Sequence, residues 1–191
     1  EATYEEERRG SSMIFSGIFN STSGINNTNQ FLIAENITKD LNTTYGTIQK
    51  LHARDTDLIV LMEDKVFRVL ANKDALFNAD GSTNVTSSNS VLGQTVPFSG
   101  EYGISKNPES FASFGFRTYF ADKARGTILR LSRDGLTDIG GKDMSFYFQD
   151  KLRTSTGAVI GSYDTDASSY NVVIGTSNTS FKESVDGWNT T

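Results

Sequence analysis

The sequence predicts a mainly β fold: repeated antiparallel β-meanders, β-propeller-like but short of a closed ring, with two short helical inserts. Three observations carry this expectation. Seventeen glycines stand against two prolines, and Ser, Thr and Asn crowd the stretches between short apolar runs, as in strands joined by turns. The apolar runs come in pairs separated by a few polar residues, the pattern of a hairpin. The order strand, turn, strand, Asp-containing turn then recurs three times, so the arrangement of elements repeats and not merely a turn type.

Residues 1–41 hold two apolar patches, Met13-Ile14-Phe15 and Gln30-Phe31-Leu32-Ile33, around a polar stretch at 20–29. They read as a strand pair from a preceding repeat. Three meander units follow, at about 42–80, 97–140 and 156–191. The first is built on Leu58-Ile59-Val60-Leu61-Met62, a turn of Glu63-Asp64-Lys65, and Val66-Phe67-Arg68-Val69-Leu70. In the second, Arg117-Thr118-Tyr119-Phe120-Ala121 is joined through residues 122–126 to Thr127-Ile128-Leu129-Arg130-Leu131. The third pairs Tyr170-Asn171-Val172-Val173-Ile174 with Thr179-Ser180-Phe181-Lys182-Glu183. Ser132-Arg133-Asp134-Gly135-Leu136 follows the second hairpin, and Ser184-Val185-Asp186-Gly187-Trp188 follows the third. Asn72-Lys73-Asp74-Ala75-Leu76 follows the first, with Ala in place of Gly. The three Asp residues lie 60 and 52 positions apart. Gly135 and Gly187 are expected in matching turns at positive φ. A stack of such meanders buries each sheet against the next, which is the logic of a propeller. A β-sandwich would hold the same hairpins without requiring their order to repeat.

Residues 78–90, with little that is apolar beyond Val85, are expected as an exposed loop. Asn107-Pro108-Glu109-Ser110 combines a cap residue, a first-turn proline and a carboxylate, which predicts about two helical turns ending near Gly115. Behind Gly140-Gly141, with Asp143 as cap, Met144, Tyr147, Phe148 and Leu152 fall at helical spacing. They predict a short helix near 143–153 with an apolar packing face. On the strands, alternation selects Leu58, Val60, Val66, Val69, Tyr119, Ile128, Leu129, Val172 and Phe181 as core.

Composition narrows the function. In 191 residues, 18 Lys and Arg against 23 Asp and Glu leave a formal charge of −5, so specific nucleic-acid binding is not expected. With no cysteine there is no disulfide, thiolate nucleophile or Cys-ligated zinc. No run approaches the roughly 20 apolar residues of a membrane span, and no membrane partner is expected.

No catalytic, cofactor-binding or metal-binding residue is assigned, and no cofactor is expected. His52, the single histidine, reads as structural rather than as part of a Ser-His-Asp arrangement. Asp55, Asp57, Glu63, Asp64 and Asp122 read as turn carboxylates rather than a glycosidase pair. Asp55/Asp57 and Asp164/Asp166 are weak calcium motifs. Gly140-Gly141-Lys142-Asp143 lacks the spacing of a phosphate loop. Seven Asn-x-Ser/Thr sequons, at Asn20, Asn26, Asn36, Asn42, Asn84, Asn178 and Asn189, read as polar filler in a chain rich in these residues. The Ser-x-Asp-Gly turns resemble the Asp box of sialidase propellers, but there Gly lies two residues after Asp, so no activity is carried over.

A longer resemblance runs through the chain. It is carried by Thr43-Thr44-Tyr45-Gly46, Arg54-Asp55-Thr56, Glu63-Asp64-Lys65-Val66, residues 71–81 and Gly100-Glu101-Tyr102-Gly103-Ile104-Ser105-Lys106-Asn107-Pro108-Glu109-Ser110. Tyr119-Phe120-Ala121-Asp122-Lys123 and residues 130–136 complete it. Together these resemble a family of tail stabilisation or muzzle proteins of crAss-like and related podovirus-type tailed bacteriophages, over roughly residues 8–189.

The family's members are longer, and the chain, which starts at Glu1 without methionine and stops after a repeat turn, is expected to be a piece of such a protein. The resemblance implies a structural, non-enzymatic component of the short tail on the DNA exit path, located in the virion after assembly in the host cytoplasm. Its implied partners are copies of itself and neighbouring tail and portal-proximal virion proteins. The alternatives are a carbohydrate- or receptor-binding tail module, with Tyr163 and Trp188 stacking on sugars, and a tail polysaccharide depolymerase. The segment 102–110 is the most diagnostic, and its expected role is a turn plus helix cap between two blades.

Overall fold

The computed structural model describes residues 7–32, 37–54, 57–77 and 83–175, with backbone alone over 72–77 and 83–90. The fold is mainly β, its sheets are antiparallel, and among the described residues there is one α-helix. Among the described residues no helix is long and apolar enough to cross a membrane. The chain divides into two compact units, Glu1–Met62 with Phe67–Pro97 and Glu63–Val66 with Phe98–Thr191.

In the first unit, β1 (Ser12–Ile14), β2 (Phe19–Asn20), β3 (Ile25–Asn26) and β4 (Thr38–Asp40) form two ladders, β1 with β4 and β2 with β3. Next, β5 (Ile48–Arg54), β6 (Asp57–Met62), β7 (Val66–Phe77) and β8 (Thr83–Pro97) meander in sequence order as one four-stranded sheet. Met13 and Leu41 are buried in the same cluster as Val60, Met62, Phe67 and Val69, with Tyr45 and Ile48 at its margin. The N-terminal segment therefore shares its core with the first meander, and residue 41 sits inside that core.

Two expectations fail here for a common reason. The repeat turn expected at residues 72–77 is absent: β7 runs straight through, with Asp74 opposite Thr86 and Phe77 opposite Thr83. Ala75 replaces the glycine that could take positive φ, so the backbone stays extended. The partner strand extends with it, and Thr83 to Ser90, expected in a loop, belongs to β8. Ladder hydrogen bonds use backbone groups and do not require apolar side chains. Residues 78–82 lie outside the described residues.

The second unit holds β9 (Ala112–Phe114), β10 (Arg117–Asp122), β11 (Thr127–Ser132) and β12 (Gly135–Asp138) as a four-stranded meander. Helix α1 (Ser145–Thr154) and the hairpin of β13 (Val159–Asp164) and β14 (Ser169–Ile174) follow. Ala121, Ile128, Leu152 and Val159 form its core, flanked by Phe148, Tyr170, Val172 and Ile174. The expected hairpin β10–β11 forms, with Thr118 opposite Leu131 and Asp122, expected in the turn, paired opposite Thr127. Gly135 follows the β11–β12 turn at φ +108°, as the Asp-Gly pattern requires. Strand β14 of the third unit pairs with the preceding β13. Its expected partner at 179–183, with Phe181 and Gly187, lies outside the described residues.

Neither insert is capped as expected. Residues Pro108–Ser110 make one turn of 3-10 helix, and the Asn107 side chain makes no capping hydrogen bond. Ala112 and Phe114 are drawn instead into pairing with β10, so strand formation overrides the local helix signal. Helix α1 starts after Met144, while Asp143 sits in a left-handed conformation at φ 62°. Of its apolar stripe, Leu152 is fully buried and Phe148 packs on the core, but Met144 and Tyr147 are about half exposed.

Of the expected core, Val60, Val66, Val69, Tyr119, Ile128 and Leu129 are buried, and Leu58 and Val172 are half-buried. Strict alternation breaks down, because Ile59, Val60, Leu61 and Met62 are all fully buried. A strand covered on both faces reads as a continuous apolar run.

Candidate functional site

The segment singled out by the sequence, residues 102–110, builds a compact polar node in the second unit. At Gly103 the chain passes so close to the Glu63–Asp64 backbone that a Cβ would stand 2.1 Å from the Glu63 carbonyl oxygen. Only glycine fits this approach. Ile104 is fully buried. Ser105 takes a left-handed conformation, φ 53°, and its bonds hold it there. Its N–H donates to the Glu63 carbonyl at 2.9 Å, and its hydroxyl donates to Asp122 Oδ1 at 2.9 Å while accepting from the Ala124 N–H at 3.1 Å.

Asp122 ends β10 and is the only acidic residue among the described residues that is fully buried. Its Oδ2 accepts from the Gly103 N–H and from Arg125 NH1, each at 3.1 Å, and its Oδ1 accepts from the Arg125 backbone N–H at 3.1 Å. Arg125 NH1 also reaches Asp64 Oδ1 at 3.1 Å. Burial works against the charge on Arg125, but Asp122 and Asp64 outweigh it and raise its pKa. With both oxygens committed to four donors, Asp122 is a structural acceptor rather than a general base.

Lys65, nearly buried, donates to the Gly100 carbonyl at 2.9 Å and pairs with Glu101 at 2.8 Å. Hydrogen bonding to Lys65, reinforced by its charge, holds the Glu101 carboxyl below its usual range. A cleft of about 480 Å³ lies beside the node, lined by Glu63, Asp64, Ser105, Lys106, Asn107, Lys123 and Ala124.

Ser110 extends the node toward β13. Its buried hydroxyl donates to the Asn107 carbonyl at 2.8 Å and accepts from the Ala121 N–H at 3.1 Å. Its carbonyl accepts from the Tyr170 hydroxyl at 2.6 Å, and burial pushes the Tyr170 phenol well up. Tyr170 ends a column of stacked rings. Its centroid is 5.4 Å from Tyr119, Tyr119 is 5.5 Å from Tyr163, and Tyr163 is 4.7 Å from Phe114. Tyr163 thus stacks against two neighbouring rings. Trp188 lies outside the described residues.

No protein-family model matches this sequence, and neither does any curated protein. Function is therefore read from the geometry together with the sequence resemblance.

The remaining sequence candidates are dispersed. His52 sits on β5 opposite Ile59, and burial, Arg54 and Lys50 together lower its pKa. Asp57 lies 3.9 Å from both Arg54 and Arg68. Asp164 Oδ1 accepts from the N–H groups of Asp166 and Ala167, which makes it a turn residue. Among the described residues no group of three acidic or His side chains converges as a metal would need. Gly141 donates its N–H to Asp138 at 2.8 Å in the turn before α1. Asp55 lies outside the described residues.

Sequence reasoning missed the node's central carboxylate. Asp122 reads as an ordinary turn residue, and its burial depends on Gly103 and Ser105, 19 and 17 positions earlier.

Proposed function

We propose that this chain is a non-enzymatic structural component of a bacteriophage virion, part of the short tail around the DNA exit path. It packs there against copies of itself and neighbouring tail proteins. The observation that carries this reading is the use made of residues 102–110, where the family resemblance is strongest. Gly103, Ser105 and Ser110 spend their hydrogen-bonding groups on backbone and on the buried Asp122. Sequence of that kind specifies shape, as an assembly protein requires. On this reading the two four-stranded meanders and the β13–β14 hairpin are blades of an incomplete propeller. Neighbouring parts of the particle cover the faces a closed ring would bury.

The test is immunogold electron microscopy of purified particles with an antiserum raised against this chain. Label confined to the tail end is the expected result, and particles without label would overturn the proposal. Release of reducing sugar from polysaccharide by the purified protein would overturn its non-enzymatic part.

A further inference from the structure

The far end of the β9–β12 sheet holds a second set of side chains that the node does not use. Phe114 opposes Arg117, and Ser132 opposes Gly135. The pairing of Thr118 with Leu131 puts Arg117 beside Ser132. One row across four strands therefore carries an aromatic ring, a guanidinium, a hydroxyl and a glycine. The β9–β10 and β11–β12 turns close the row at the same end, contributing Phe116, Arg133 and Asp134 to a cleft of about 580 Å³.

Two features mark this cleft as a ligand site. Phe114 and Phe116 are both exposed, although Phe114 is held from beneath by Tyr163. The Arg133 guanidinium lies 3.8 Å over the Phe116 ring, an arrangement that leaves its in-plane N–H donors free for a planar acceptor. Arg117 and Arg133 form no ion pair among the described residues.

We infer that this end of the sheet binds an acidic saccharide, a sugar ring bearing a carboxylate. The arginines take the carboxylate, and the phenyl rings take the apolar face of the pyranose. Asp134 accepts hydrogen bonds only, so it is satisfied by sugar hydroxyls that donate. At Gly135 no atom lies within 4 Å of where a Cβ would stand, which leaves that end of the row open for the sugar to extend. The site goes beyond the structural role proposed above and stands or falls separately from it.

Saturation-transfer NMR on the full chain tests it with four probes: oligogalacturonate, a neutral galacto-oligosaccharide, inorganic phosphate and a single-stranded oligodeoxynucleotide. Oligogalacturonate is expected to bind with Kd of about 1 mM or tighter, at least about tenfold better than the neutral sugar. Arg117→Ala and Arg133→Ala should each weaken it about tenfold without moving Tm, since both side chains are exposed. Equal binding of the neutral sugar, preference for phosphate or the oligonucleotide, no acidic-sugar signal, or wild-type binding by the double Arg variant would each overturn the inference.

Discussion

At Gly103 the close approach of the Glu63 carbonyl leaves no room for a side chain. Gly103→Ala should therefore destabilise the chain by about 1–3 kcal/mol through forced backbone displacement, measured by urea denaturation. Asp122 is the companion case. Asp122→Ala strips partners from two backbone N–H groups, the Ser105 hydroxyl and the Arg125 guanidinium, and should cost about 3–5 kcal/mol. An Asp122→Ala variant with wild-type Tm would show that water replaces the carboxylate.

His52 gives the pH dependence. Its folded pKa lies below the ordinary value of about 6.5, so the unfolded chain takes up the proton first. Its contribution to stability is complete above that ordinary value and is lost as pH falls through the window down to the lowered folded pKa. Because it is the only histidine, His52→Gln should abolish the slope of stability against pH just below about 6.5, as read from melts at several pH values.

Among the elements, α1 is held to the sheet by one edge. Leu152 is fully buried against Ala121, Ile128 and Val159, whereas Phe146 is 86% exposed. Leu152→Ala should cost about 2–5 kcal/mol and Phe146→Ala less than about 0.5, and circular-dichroism melts of the two variants would separate them. The contrast explains why the helix is legible in sequence but its full apolar stripe is not. Spacing finds Leu152 and Phe148, while exposure of Met144 and Tyr147 depends on what the sheet places opposite them. The β11–β12 turn follows its sequence pattern because Gly135 supplies the positive φ locally. Where the pattern has Ala75, the strand continues, so one missing glycine changed the length of two strands.

For the whole molecule, Ile14, Phe19, Ile25 and Phe31 are each more than half exposed. On the proposed assembly role, neighbours cover such side chains. Sedimentation velocity should accordingly show the isolated chain self-associating as concentration rises, despite the net charge of −5, and a Phe19→Ser/Ile25→Ser variant should shift it toward monomer. A compact monomer at all concentrations would count against assembly through these side chains.

The sequence by itself determined the β class, the hairpins around Glu63-Asp64-Lys65 and residues 122–126, most of the core positions and the Gly135 turn. These depend on local rules: apolar runs, polar breaks and the φ freedom of glycine. Only the tertiary structure decided that residues 107–114 make a 3-10 turn and a strand rather than a helix, that β14 pairs backward with β13, and that Met13 joins the core of the first meander. It also decided the candidate sites. Asp122 becomes a buried hub through Gly103 and Ser105, and Arg117 meets Ser132 because strand register sets them side by side. Such juxtapositions come from packing and pairing between distant segments, which no local periodicity encodes.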